Sequence, residues 1–359
     1  MKKAILGLVL ILLMSVGLMA TEVPAKVEQT TTLSDRNHVR VFTADNTDGK
    51  ITAKTIQTAF EKAGFMVEAN NDMTGPFKRD FKEKFYDVYN LMILWKKDTV
   101  LNLLEKYPKI GLFSPLSMSI YTAKGGKTIS VASLSTAGYA AMTGVPADEA
   151  ALVSLGKNIE DALKVAMPKG HFETMSYKMK APEGPLVHEA SLKMGEEWED
   201  EKDDFEMKFE GELAPNGFVS PAFVDLNYDL DEHDKDTYSF YDAYSICKIK
   251  VIYTVSQKHP EAGALAPCTM YLYKTKDENV MHMGFPTVHK WVSALNITDK
   301  ESLDVLLDAQ TTFETILAKL TGKSVAAPKA DAQKEVVKTE VTKKCSAAGK
   351  CGKGKCGGK

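Results

Sequence analysis

The sequence predicts an α+β fold: two tandem copies of a small domain with helices packed on an antiparallel sheet, followed by a disordered tail. Three observations carry that expectation. Tyr86-Asp87-Val88-Tyr89 recurs as Tyr241-Asp242-Ala243-Tyr244, and Tyr107-Pro108-Lys109-Ile110-Gly111 recurs as His259-Pro260-Glu261-Ala262-Gly263. Ser114-Pro115-Leu116-Ser117-Met118 pairs in the same way with Ala266-Pro267-Cys268-Thr269-Met270. Each copy also reads strand, helix, strand, strand, helix, hairpin, helix, an order that lays helices over one face of a sheet. The spacing between copies falls from 155 residues (241 − 86) to 152 (267 − 115), which reads as a turn of helix lost from the second copy.

With 359 residues, 44% of them hydrophobic, the chain has material for two ordinary cores without metal or disulfides. Met1-Lys2-Lys3, the apolar run from Ala4 to Ala20 and the polar Thr21-Glu22 form the n-region, h-region and cleavage point of a signal peptide over 1–20. The expected address is the periplasm of a bacterium or its surroundings. The net charge of −3 hides an asymmetry: residues 323–359 hold ten Lys against Asp331, Glu335 and Glu340, and Lys2 and Lys3 add two more cations. The globular part is therefore strongly acidic, which excludes nucleic acid as a partner.

Residues 21–37 read as a flexible leader, and the first domain as 38–168. Val39 to Phe42 is its first strand, followed by a turn at Asn46-Thr47-Asp48-Gly49. A helix runs from Thr52 to Lys62, with Ile56, Phe60 and Ala63 at helical spacing and Gly64 as its stop. Phe65 to Met73 is the next strand, and Tyr89 to Trp95 is apolar on both faces, as a buried strand requires. Leu101, Leu104 and Tyr107 form a short helix that Pro108 ends. The strands Met118–Thr122 and Thr128–Leu134 flank a glycine hairpin at Ala123-Lys124-Gly125-Gly126, and a helix over Asp148–Val165 closes the copy. The second domain, 169–322, repeats the order. Its first helix carries Phe205, Phe209 and Leu213 on one face of an otherwise acidic, solvated stretch from Glu196 to Glu212, and its last carries Leu303, Leu306, Phe313 and Leu317. From 323 the composition turns to Ala, Lys, Val and Gly without an apolar face, as disordered segments do.

The order of elements, with Tyr-Pro-Lys-Ile-Gly-Leu-Phe-Ser-Pro at 107–115 leading into a hairpin and a last amphipathic helix, resembles the bacterial domain-of-unknown-function 302 family. The resemblance covers 40–167 and, more loosely, 172–320. It implies a compact domain with helices over a curved sheet and no established activity. Family members carry a Cys after the Pro of this stretch; here the first copy has Leu116 and only the second keeps one, Cys268.

Four sets of residues are candidate sites. Glu68, Asn70 and Asp72, and their counterparts Asp225, Asn227 and Asp229, share a strand face at period two and form a candidate polar-ligand or hard-cation face, weighed against an ordinary solvated strand. Cys247 and Cys268, placed opposite the first copy's Met92 and Leu116, are buried thiols, a disulfide, or a redox or metal site. Met281-His282-Met283 reads as core packing, since strand alternation points both Met away from His282. The tail is chemically the most readable part. Lys344-Cys345-Ser346, Gly349-Lys350-Cys351-Gly352 and Gly354-Lys355-Cys356-Gly357 set three thiols beside lysines that favour thiolate, in a segment with no core to bury them. Three sulfurs suit Cu(I), or Zn(II) with one outside ligand. These units are similar to the Gly-Lys-Cys-Gly runs of bufferin-like copper-buffering peptides, which implies a cysteine-modifying enzyme as a partner.

The expected function is therefore an exported, non-enzymatic protein that binds or buffers copper through Cys345, Cys351 and Cys356. No catalytic set is expected. Two alternatives stand beside it: a small-ligand module using a cleft between the domains, and a thiol enzyme built on Cys268. A basic tail adhering to an anionic envelope surface, and an intermolecular disulfide tether, compete with the metal reading of the tail.

Overall fold

The computed structural model describes residues 37–322 except Glu83 and Asp234. The expected signal peptide, the expected leader up to residue 36 and the Lys/Cys tail from 323 lie outside the described residues. The architecture is α+β, with two antiparallel sheets. In the first half, β1 (Val39–Asp45), β2 (Met66–Asp72), β3 (Tyr86–Trp95), β4 (Leu116–Ala123) and β5 (Thr128–Leu134) pair in the order β2-β3-β4-β5-β1. A two-residue strand, β6 (His171–Phe172), adds to the outer edge of β1. In the second half, β7 (Val187–Lys193), β8 (Val219–Asp225), β9 (Tyr238–Cys247), β10 (Cys268–Thr275) and β11 (Val280–Pro286) pair as β8-β9-β10-β11-β7, the same connectivity.

The helices cover one face of each sheet, as their apolar spacing requires. Helix α1 (Ala53–Lys62) begins at Thr52, whose hydroxyl accepts from the Thr55 N–H, and buries Ile56, Ala59 and Phe60. Short helices α2 (Thr74–Phe81), α3 (Lys97–Leu104) and α4 (Thr136–Thr143) follow, and α5 (Ala150–Ala166) buries Leu152, Leu155, Ile159 and Leu163. The second half answers with α6 (Trp198–Leu213), α7 (Leu226–Asp231), α8 (Ile249–Ser256), α9 (Val288–Ala294) and α10 (Lys300–Thr321). The acidic stretch is the helix expected, resting on Phe205, Phe209 and Leu213. Sequence reading misses α2, α4, α7 and α9 because they are short. Gly75-Pro76 in α2 looks like a turn, yet Pro is tolerated in a first helical turn.

The expected loss of a helical turn between the copies is corrected. From β3 to α4 the element starts recur at one constant spacing of 152 residues: 86 and 238, 97 and 249, 108 and 260, 116 and 268, 128 and 280, 136 and 288. The counterpart of Tyr86 is Tyr238, not Tyr241. Tyr238, Tyr241 and Tyr244 are spaced by three, so two registers match the motif, and the Asp87–Asp242 coincidence favours the wrong one.

The second face of each sheet is closed by the other half. The 3-10 turn at Pro260–Leu265 lies on β4 and β5, and its counterpart at Pro108–Phe113 lies on β10 and β11. The hydrogen bonds across this joint come in reciprocal pairs. Tyr89 Oη donates to Pro260 O at 3.0 Å, and Tyr241 Oη donates to Pro108 O. Tyr86 Oη donates to Ser256 O, and Tyr238 Oη to Leu104 O at 2.7 Å. Ser117 Oγ donates to Pro267 O and Thr269 Oγ1 to Pro115 O, both at 2.8 Å. Each donor and acceptor has its counterpart 152 residues away, so the bonds across the joint are reciprocal. The expectation of two separate cores changes accordingly. One hydrophobic cluster runs from Val39 to Leu306 through the joint, and a second lies under α6 and α10.

Candidate functional site

The expected polar-ligand face is not assembled. On β2 a bulge at Glu68 breaks the alternation, and Glu68 Oε1 accepts the Trp95 indole N–H at 2.9 Å. Asn70 donates to Ala53 O at 3.0 Å and accepts from Asn90, while Asp72 caps the Thr74 N–H at 2.9 Å. The matching residues are not on one strand at all: β8 ends at Asp225 and the chain turns into α7. Asp225 Oδ1 accepts the N–H groups of Asn227 and Tyr228, both at 3.0 Å, so the alternating pattern is an N-cap followed by a helix. Asn227 reaches Asp231, and Asp229 pairs with Lys97 of the other half. Each of the six side chains is thus engaged with a different partner, although Asn227 Oδ1 is itself buried without one. Among the described residues, no three His, Cys, Asp or Glu are grouped to hold a metal ion.

The two described thiols do meet, around a cavity. Cys268 sits opposite Ile246 in the β9–β10 ladder, one residue out of register with Cys247, and both thiols are free. By the 152-residue spacing Cys247 stands where the first half has Trp95, not Met92, while Cys268 stands at Leu116. An indole and an isobutyl group are thus replaced by two small side chains. Beside them β9, β10 and β11 on one side, and α8, α9 and α10 on the other, line a half-open cavity of about 80 Å³. Met270, Phe285, Trp291 and Phe313 supply much of its wall. Burial pushes the Cys247 thiol up to about 12, with the neighbouring Cys268 adding to it, and pushes Cys268 up to about 11. Both are protonated at neutral pH. That chemistry suits packing and opposes a ready thiolate nucleophile.

The comparison with known proteins falls on this half of the chain. Residues 197–320 carry a DUF302 domain. The match is to the family described as "Domain of unknown function DUF302", and it takes in the whole cavity, from Phe218 to Phe313. It starts at α6, leaving out β7, although β7 pairs with β11 along its full length. A solved structure titled an uncharacterized conserved protein DUF302 from Bacillus stearothermophilus is 15% identical, with a TM-score of 0.32, over 38% of this chain and 99% of that one. No curated protein matches the chain.

Two buried polar groups of the DUF302 region escape sequence reading. Lys290 on α9, fully buried, hydrogen-bonds His38 Nδ1 of the first half at 2.9 Å and Gly138 O at 3.4 Å. It occupies the position that Gly138 holds in the first half. Burial lowers its ammonium from 10.5 to about 7, and His38 is lowered to about 4 by burial and by Lys290. Asp242, also buried, is raised chiefly by desolvation while Lys202 approaches it at 2.9 Å. A Lys on an apolar helix of the sequence Val-His-Lys-Trp-Val is the signal that could have found the first. The Met281-His282-Met283 expectation holds: both Met are buried and His282 faces Glu278 at 2.8 Å.

At the joint itself the space is small. A void of about 20 Å³ lies between Phe113, Pro115, Cys268 and Lys290, room for about one water molecule. The cleft expected between the domains falls on this joint, where the sheets and 3-10 turns interlock around that void. Cys345, Cys351 and Cys356 lie outside the described residues.

Proposed function

We propose that this chain is an exported, non-enzymatic protein that captures a soft metal ion, copper(I) first and zinc(II) second, through Cys345, Cys351 and Cys356. The observation that carries the reading is the spacing of those three cysteines, six and five residues apart, among lysines and glycines. Neighbouring ammonium groups favour thiolate, and thiolate sulfur prefers monovalent copper over hard cations. The folded body supports the assignment by elimination of its own thiols: Cys247 and Cys268 are held protonated beside an apolar cavity. On this reading the body is a scaffold, and the tail is also the substrate of a cysteine-modifying enzyme.

The first half, 38–168, is on the same reading a second DUF302 copy. Its support is the shared strand order and the 152-residue spacing of the elements from β3 to α4.

A competition titration of the reduced full chain against a chromogenic Cu(I) chelator tests the metal assignment. The expected result is retention of Cu(I) by the wild type and its loss in the Cys345→Ser/Cys351→Ser/Cys356→Ser variant. Equal retention by both would remove it.

A further inference from the structure

The cavity between β9–β11 and helices α8–α10 has no role in the metal reading, and its chemistry points elsewhere. The polar groups at its rim are already engaged. Lys248 Nζ pairs with Asp308 at 2.9 Å and lies over the Phe218 ring at 5.2 Å. Gln310 accepts the Val288 N–H at 2.7 Å and donates to Glu314 at 2.8 Å. Cys268 Sγ is turned to Leu265 O at 3.4 Å. A charged or strongly hydrogen-bonding guest would have to give up water without a partner inside.

An apolar guest meets no such cost. The wall offers the rings of Phe285, Phe313 and Trp291 together with the sulfurs of Met270, Cys247 and Cys268, and sulfur–ring contacts are favourable. At about 80 Å³ the space is several times the ~10–15 Å³ that one water needs, and about half the ~150 Å³ of an apolar cavity that takes up benzene, with the open side leaving room for a guest to extend. The first half shows how the corner was opened. It keeps Trp95 and Leu116 at the two positions where this half has only thiols.

We infer that the cavity bordered by Cys247 and Cys268 is a binding site for a small, neutral, aromatic molecule, in which the thiols act as small apolar wall groups. The site is independent of the tail cysteines.

Fluorobenzene is a suitable probe, observed by fluorine NMR on the reduced full chain. We expect saturable one-site binding with a Kd on the order of 1 mM or tighter, and at least tenfold weaker binding of benzoate, which is of similar size but charged. Cys268→Leu, which restores the side chain of the first half, should weaken fluorobenzene binding at least tenfold. Ala309→Phe at the rim gives a second block should that variant not fold. A third readout needs no variant: saturating fluorobenzene should slow alkylation of Cys268 in the wild-type chain at least fivefold, read at the peptide level. Failure of fluorobenzene to bind up to its solubility limit, equal binding of benzoate, or binding indifferent to a folded Cys268→Leu or Ala309→Phe variant would overturn the assignment.

Discussion

Replacing Lys290 by Met should stabilise the protein, and the amount should depend on pH in a way that packing cannot imitate. In the folded chain the ammonium is lowered from 10.5 to about 7 because it is buried. At pH 7 the unfolded chain holds this proton and the folded chain holds it about half the time. At ~1.36 kcal/mol per pH unit, the burial costs ~4 kcal/mol at that pH. Met keeps the apolar stem but loses the hydrogen bonds to His38 and Gly138, each worth ~1 kcal/mol. The net expected gain at pH 7 is thus ~1–3 kcal/mol, or several degrees in Tm.

The sign of the pH dependence follows from the lowered value. Between pH 7 and 10.5 the unfolded chain binds more protons than the folded one, so wild-type stability rises with pH while that of the variant has no such contribution from this site. The advantage of Lys290→Met should therefore shrink by ~2 kcal/mol between pH 7 and pH 9. Urea denaturation of both proteins at the two pH values measures it. An advantage that does not change with pH, or a variant destabilised by more than ~2 kcal/mol at pH 7, would refute the reasoning by showing a charged, well-paired lysine.

Further outcomes follow from the same structure. His38 is lowered to about 4 in the fold, so the stability it contributes is present above its unfolded value near 6.5 and is lost as pH falls toward 4; His38→Phe should flatten the acid limb of a stability–pH curve over that window. Tyr241→Phe should cost ~1 kcal/mol through its lost bond to Pro108 O, and Tyr89→Phe somewhat less, because Pro260 O keeps Ser119 Oγ as a second donor at 3.2 Å. Gly263→Ala would set a Cβ 2.7 Å from Leu91 Cδ2 and hard against Ser119, and should lower stability by ~1–3 kcal/mol in thermal unfolding. Without ligand, Cys247 and the half-buried Cys268 should alkylate at least ~100-fold more slowly than glutathione at pH 8, because so little of either is thiolate; labelling of Cys247 at the rate of glutathione would contradict its burial.

Much of the framework is legible because it rests on local chemistry. The helical spacing of Ile56 and Phe60 in α1, the hairpin with Gly125 at φ +71° and the Phe205/Phe209/Leu213 stripe each announce themselves within a few residues. The joint does not. Tyr86, Tyr89, Ser117 and Thr269 read as ordinary strand residues until the other half supplies the carbonyls of Ser256, Pro260, Pro267 and Pro115. Those partners are more than 140 residues away in sequence, beyond any periodicity. The Asp225–Asp229 segment misleads for the opposite reason: a period-two pattern and an Asp cap with a single helical turn look alike over five residues. The cavity is legible only after the register is known, since it takes the correct pairing of Cys247 with Trp95 to see that an indole is missing.

Native mass spectrometry of the reduced full chain after loading with chelator-buffered Cu(I) addresses the central claim most directly, because it counts ions per molecule. The account predicts bound copper on the wild-type chain and none on a chain ending at residue 322. Equal copper on both, or none on either, would contradict it.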